Sequence, residues 1–110
     1  MKRLALIALL LPLSACSSTH YDWGSYQDSI YYLYTEPGNF DPLAVQAKLE
    51  SEVTETIAEG RKVPPGKMAF IAYLYSRQGN YSAAKAALHR EKEFFPESAT
   101  FVDGITARLK

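Results

Sequence analysis

Apolar residues recur along most of the chain at helical spacing, not at the alternating spacing of strands. Trp23, Tyr26, Ile30, Leu33 and Tyr34 fall at i, i+3, i+7, i+10 and i+11, a single stripe on the face of a helix. Asp22 or Ser25 stands where a side-chain oxygen caps the start of that helix, and Pro37-Gly38-Asn39 ends it. Asp41-Pro42 opens a second helix. The aspartate accepts from free N–H groups of the first turn, and proline occupies a position whose missing N–H costs nothing. Val45, Leu49, Val53 and Ile57 run at i+4 along it, and Gly60 is the stop. Lys48, Glu50, Glu52, Glu55 and Glu59 are read as its solvated side.

Residues 61–66, with Pro64-Pro65-Gly66, form a helix–helix connection too short to separate domains. The spacing predicts a third helix over 67–78, with Met68, Ile71, Ala72 and Tyr75 on one face. Phe70, Tyr73 and Leu74 cover much of the other, so this helix should be buried on two sides. After a tight turn at Gly79-Asn80-Tyr81, a fourth helix over 82–95 turns Ala84, Ala87, Leu88 and Phe95 inward, and Pro96 stops it. Ser98 is placed to cap a final helix carrying Phe101, Val102, Ile105 and Leu109. No stretch alternates as a half-buried strand does. The expected fold is all-α: about five short helices in one domain over residues 23–110.

The first residues follow a different rule. Lys2 and Arg3 precede the apolar run Leu4 to Leu11, which Pro12 breaks and Leu13-Ser14-Ala15-Cys16 follows. A basic front, a short apolar core and small residues at its end are a secretory signal; the run is about half the length that spans a bilayer. The chain's one cysteine stands where the lipobox of bacterial lipoproteins requires it. Small Ser14 and Ala15 let an extended segment enter a peptidase, and the Cys16 thiol is the nucleophile that accepts a diacylglycerol. The expected organisation is a lipoprotein signal peptide over 1–15, cleaved between Ala15 and Cys16. A lipidated tether over 16–22 and the helical domain follow. Several acyl chains on one residue hold firmly where one does not. Ser17 and Ser18 lack the aspartate that favours inner-membrane retention in enterobacterial lipoproteins, so the expected location is the cell envelope, at the outer membrane facing the periplasm.

Composition narrows the function. Twelve basic and 12 acidic side chains balance, which argues against a nucleic-acid partner. One cysteine and two histidines, His20 and His89, leave little for a metal site or a catalytic triad. No cofactor, metal or small-molecule substrate is indicated. Ser17, Ser18 and Ser25 have no nearby base, and Glu91 and Glu93 fall on different faces of one helix, so no enzyme chemistry is expected. Aromatic residues make up 13% of the chain. Tyr26, Tyr31, Tyr32 and Tyr73 are the candidates for a partner-binding patch, since tyrosine is enriched at interfaces. The alternative is that aromatic bulk simply fills a small core.

Residues 68–96 resemble a tetratricopeptide repeat, a helical hairpin with a period of about 34 residues. Its places are held by Met68, Ile71-Ala72, Tyr75, Gly79-x-Tyr81, Ala84, Leu88, Glu91 and Pro96. Ala72 and Ala84 are small where the helices touch, Gly79 permits the turn, and Tyr75 and Tyr81 fill the space between. Met68 and Glu91 depart from the usual tryptophan and small residue. A weaker copy surrounds Gly38-Asn39-Phe40, with Ile30 and Tyr34 before it, and the last helix would cap the stack. Trp23-Gly24-Ser25-Tyr26, Val63-Pro64-Pro65-Gly66, Gln78-Gly79-Asn80-Tyr81 and Phe95-Pro96-Glu97-Ser98 together resemble a family of small Gram-negative lipoproteins, domain of unknown function 4810. That resemblance implies a neighbour: such proteins tend to be encoded beside a curli-secretion-channel-like lipoprotein and another small lipoprotein. The expected function is a lipid-anchored adaptor or assembly factor with an envelope lipoprotein as its protein partner. The alternative is a peptidoglycan-binding module or enzyme accessory.

Overall fold

The computed structural model describes residues 20–110 of the chain. The expected signal peptide, its cleavage point at Ala15 and the lipidated Cys16 lie outside the described residues. The described part is all-α: α1 (Tyr26–Thr35), α2 (Pro42–Ala58), α3 (Lys67–Arg77), α4 (Tyr81–Phe94) and α5 (Ala99–Arg108). Short 3₁₀ turns at Pro37–Asn39 and Pro96–Ser98 join the first two and the last two helices.

Local chemistry accounts for most boundaries. Asp41 Oδ1 accepts from the N–H groups of Leu43 and Ala44 at 3.0 and 3.3 Å, with Pro42 in the first helical position. Asn80 Oδ1 caps α4 by accepting from Ala83 N–H at 3.2 Å. Gly79 precedes it at φ +76°, the left-handed region that only glycine enters without strain. Two expected caps are replaced. Ser25 and Ser98 stand at the N-cap positions of α1 and α5 but their side chains cap nothing, and the Ser98 hydroxyl donates back to the Phe95 carbonyl at 2.6 Å.

The core lies between α2, α3 and α4, around Leu49, Val53, Met68, Ile71, Leu74, Ala84 and Leu88, with Val102 of α5 closing it. α3 and α4 pack along their length as a hairpin, with Ala72, Ala84 and Ala87 at 3%, 0% and 4% exposure. Small side chains there let the two backbones approach closely. Along α2 the buried stripe is Leu49, Val53 and Thr56, and Ile57 is exposed. An i+4 series drifts off a 3.6-residue turn, so its last member rotates out of the core. On α1 the inward residues are Tyr26, Ser29, Ile30 and Leu33, while Tyr34 is 80% exposed.

The weaker upstream copy does not reproduce this hairpin. Gly38 lies in a 3₁₀ turn without the positive φ of Gly79, and Tyr34 faces solvent where Tyr75 is half-buried. Tyr81, the first residue of α4, is exposed as well. The folded part begins before Trp23. Tyr21 forms a parallel bridge with Lys62, and Asp22 N–H donates to the Lys62 carbonyl at 2.8 Å. The last two residues assigned to the tether therefore belong to the fold.

Candidate functional site

Charged groups tie the N-terminal segment to α2 and the linker and, through Glu52, to the hairpin. Lys67 is fully buried, and its Nζ donates to Glu52 Oε2 at 3.0 Å. The same carboxylate accepts from Ser25 N–H, 3.2 Å from each oxygen, and so supplies the cap that the Ser25 side chain does not. Burial pushes Glu52 up, but the bonds from Ser25 and Lys67 outweigh it and hold its pKa below the ordinary carboxylate value. The Thr56 hydroxyl donates to Asp22 at 2.5 Å, and Arg61 pairs with Asp22 at 3.2 Å and also with Glu59. Glu50 accepts from the Tyr75 hydroxyl, which pushes that phenol up to about 12. Glu50 and Glu52, read from the pattern as part of a solvated face, are thus bonded to α3.

Glu91 works across 25 residues of sequence. Its Oε1 accepts from Gly66 N–H at 2.6 Å at the start of α3, while its buried Oε2 has no hydrogen-bond partner. A carboxylate at a helix N-terminus meets free N–H groups and the positive end of the dipole. Burial dominates, however, and raises its pKa despite the N–H groups of Gly66, Ala69 and Met68. Gly66 has φ +89°, and a Cβ there would meet the Tyr26 hydroxyl at 2.7 Å, so glycine is needed for both backbone and space.

The candidate aromatics fall into two groups. Tyr26 and Tyr73 join a continuous row of rings: Phe95–Tyr21, Tyr21–Trp23, Trp23–Tyr26, Tyr26–Phe70 and Phe70–Tyr73, with centroids 6.1, 6.2, 6.1, 5.8 and 6.1 Å apart. The Arg77 guanidinium lies 5.8 Å from the Tyr73 ring at its end. Tyr31 and Tyr32 pack edge-to-face on α1, 63% and 50% exposed, and touch none of that row. Pattern reasoning missed Tyr21, Trp23, Phe70 and Phe95 as parts of one row, because ring contacts between separate segments leave no periodic signal. Lys67 did leave one: a cation in the first turn opposes the helix dipole and implies a partner.

Two clefts of about 400 Å³ each open at opposite ends of α2. The first, between α1 and α2, is walled by Tyr32, Phe40 and Val45, with Asp28, Glu36 and Asp41 against the lone cation Lys48. Asp28 and Tyr32 stand at i and i+4 on one face of α1, and Glu36 follows at its C-terminal end. The second is lined by Tyr21, Ile57, Arg61, Lys62, Val63, Phe94 and Phe95, with two cations and no carboxylate. Val45 and Ile57, one in each cleft, are about 18 Å apart along the helix axis. Among the described residues no group of three His, Cys, Asp or Glu side chains is placed to hold a metal ion. No described helix is long and apolar enough to cross a membrane.

The repeat-motif residues separate by role. Ile71, Ala72, Ala84 and Leu88 are in the core, Tyr75 bridges α3 to α2, Gly79 makes the turn, and Tyr81 and Pro96 are exposed. Compared with known proteins, residues 20–105 match the family described as Domain of unknown function (DUF4810). No curated protein and no solved structure matches the chain.

Proposed function

The chain belongs to the DUF4810 family, and on that premise we propose that it is a lipid-anchored adaptor which holds a protein partner at the periplasmic face of the outer membrane. The anchor is Cys16, on the strength of the lipobox Leu13-Ser14-Ala15-Cys16 behind a basic and apolar leader. The reading of a tetratricopeptide-like hairpin enters here too, supported by the burial of Ala72 and Ala84 and by the Gly79 turn. One observation carries the adaptor role: the cleft between α1 and α2, walled by Tyr32 at 50% exposure, with Tyr31 packed edge-to-face on that ring at 63%. Half-exposed tyrosines around a concave acidic surface supply contact area at low entropic cost and favour a basic, apolar counterpart. The partner implied by the family resemblance is a channel-forming lipoprotein of the curli-secretion type.

No catalytic role is proposed. The test is affinity capture from membranes with the wild type and with Tyr32→Ala plus Asp28→Lys. The expected result is a channel-forming lipoprotein recovered with the wild type and lost with the variant. Co-sedimentation with purified sacculi instead, unaffected by the variant, would replace the adaptor by a peptidoglycan-binding module. Palmitate labelling that survives Cys16→Ser would remove the anchor.

A further inference from the structure

We propose that the cleft at the Tyr21 end is a membrane-docking face, which seats the domain against the phospholipid leaflet holding its anchor. The proposal rests on the lipid-anchor reading above. Its first support is position. Tyr21 lines the cleft, and Cys16 is five residues upstream, a reach of at most roughly 17 Å in extended chain. Whatever surface holds a lipid on Cys16 therefore lies within one short segment of this cleft, which is four residues nearer along the chain than Ser25 of the other.

Chemistry is the second support. Ile57 and Phe94 are 46% and 37% exposed, and they meet Tyr21, Phe95 and Val63 in one apolar wall. Arg61 and Lys62 are the only charged groups lining it. The carboxylates beside them, Asp22 and Glu59, are both bonded to Arg61, while Lys62 makes no ion pair among the described residues. The Arg90 guanidinium lies 5.5 Å from the Phe94 ring. Rings with cations at their edge are the side chains that settle at the boundary between acyl chains and headgroups, apolar bodies inward and charges among phosphates. The opposite cleft, with three carboxylates against one lysine, has the wrong sign for an anionic leaflet. Docking through the Tyr21 end would leave that acidic cleft turned toward the periplasm.

Depth measurement tests this on the full chain. The chain has one cysteine, and acylation consumes its thiol, so an introduced cysteine takes a nitroxide label alone. Phe94→Cys, Ile57→Cys and a control, Ser82→Cys near the start of α4, are reconstituted in vesicles of phosphatidylethanolamine and phosphatidylglycerol. Labels at 94 and 57 should collide with membrane-dissolved oxygen in preference to an aqueous nickel chelate, and the label at 82 should do the reverse. Two reporters keep the test alive should one substitution unfold the chain. Each cation near an anionic surface strengthens attachment roughly fivefold, so Lys62→Glu should lower the ratio of embedded to free label at 94 by at least that factor. Aqueous labels at 94 and 57 on an acylated chain would overturn the docking face. Labels that are aqueous in vesicles but shielded in envelope membranes would also overturn it, and would give the cleft to a protein. Labelling of the unsubstituted chain would instead show a free Cys16 thiol and remove the anchor beneath the proposal.

Discussion

Between α3 and α4 the contact is made by Ala72, Ala84, Ala87 and Leu88, each at most 4% exposed. The N-terminal segment is held to α2 and the linker by Asp22, Thr56 and Arg61, and through Glu52 to Lys67 of the hairpin. The hairpin gains chiefly from removing apolar surface from water, with the Glu91–Gly66 bond as a charge-dependent contact at one end. The N-terminal segment is attached through buried charges, whose value depends on every partner being present and correctly ionised. The first kind of contact fails on added bulk. The second fails on lost partners.

Glu52→Ala should break the charged region most severely. It leaves the fully buried Lys67 unpaired and the Ser25 N–H without its acceptor, and removal of one partner from a buried pair costs about 3–5 kcal/mol. Exchange of the Tyr21–Ser25 amides with solvent should rise well before the hairpin melts. Simultaneous melting of both regions would show that they form one cooperative unit.

Ala84→Leu probes the apolar region, with a cost of about 1–3 kcal/mol from overpacking. In thermal unfolding followed by helical circular dichroism, each kcal/mol corresponds to a fall of about 4–8 °C in midpoint. Lys85→Leu, one residue along on the exposed side, should leave the midpoint nearly unchanged. Equal midpoints for the two would refute the packing of α4 described above.

The smallest effect separates two carboxylates within the charged network. Glu52 has a lowered pKa, so its contribution is present above the ordinary value of 4.5 and lost as pH falls through the lowered one. Glu91 has a raised pKa, so the folded state favours its proton, and stability declines as pH rises from 4.5 through the raised value. Glu91→Gln keeps an acceptor for Gly66 N–H and should abolish that decline, leaving the acid-side loss from Glu52 in place. A stability profile unchanged by Glu91→Gln would mean that this carboxyl titrates normally.

The helices were legible because their causes are local. Asp41-Pro42, Gly79-Asn80 and Pro96 mark boundaries through capping oxygens, a left-handed turn and a missing N–H, each acting within four residues. Ile71, Ala72, Ala84 and Leu88 were legible as core because the hairpin joins neighbours in sequence through a three-residue turn. The candidate site was less so: Tyr26 and Tyr73 lie in one ring row, Tyr31 and Tyr32 lie elsewhere, and neither cleft was foreseen.

The amino-acid order by itself determined an all-α chain, its helix ends and the hairpin of α3 and α4, since 3.6-residue periodicity and capping act over one or two turns. Only the tertiary structure decided that Glu52 and Glu50 face α3 rather than water, and that Glu91 caps a helix 25 residues upstream. It also decided that Thr56 replaces Ile57 in the core and that three separate segments of chain align one row of rings. Those outcomes depend on the angle and distance at which helices cross. They are set by the fit of the whole core, and no short stretch of sequence encodes them.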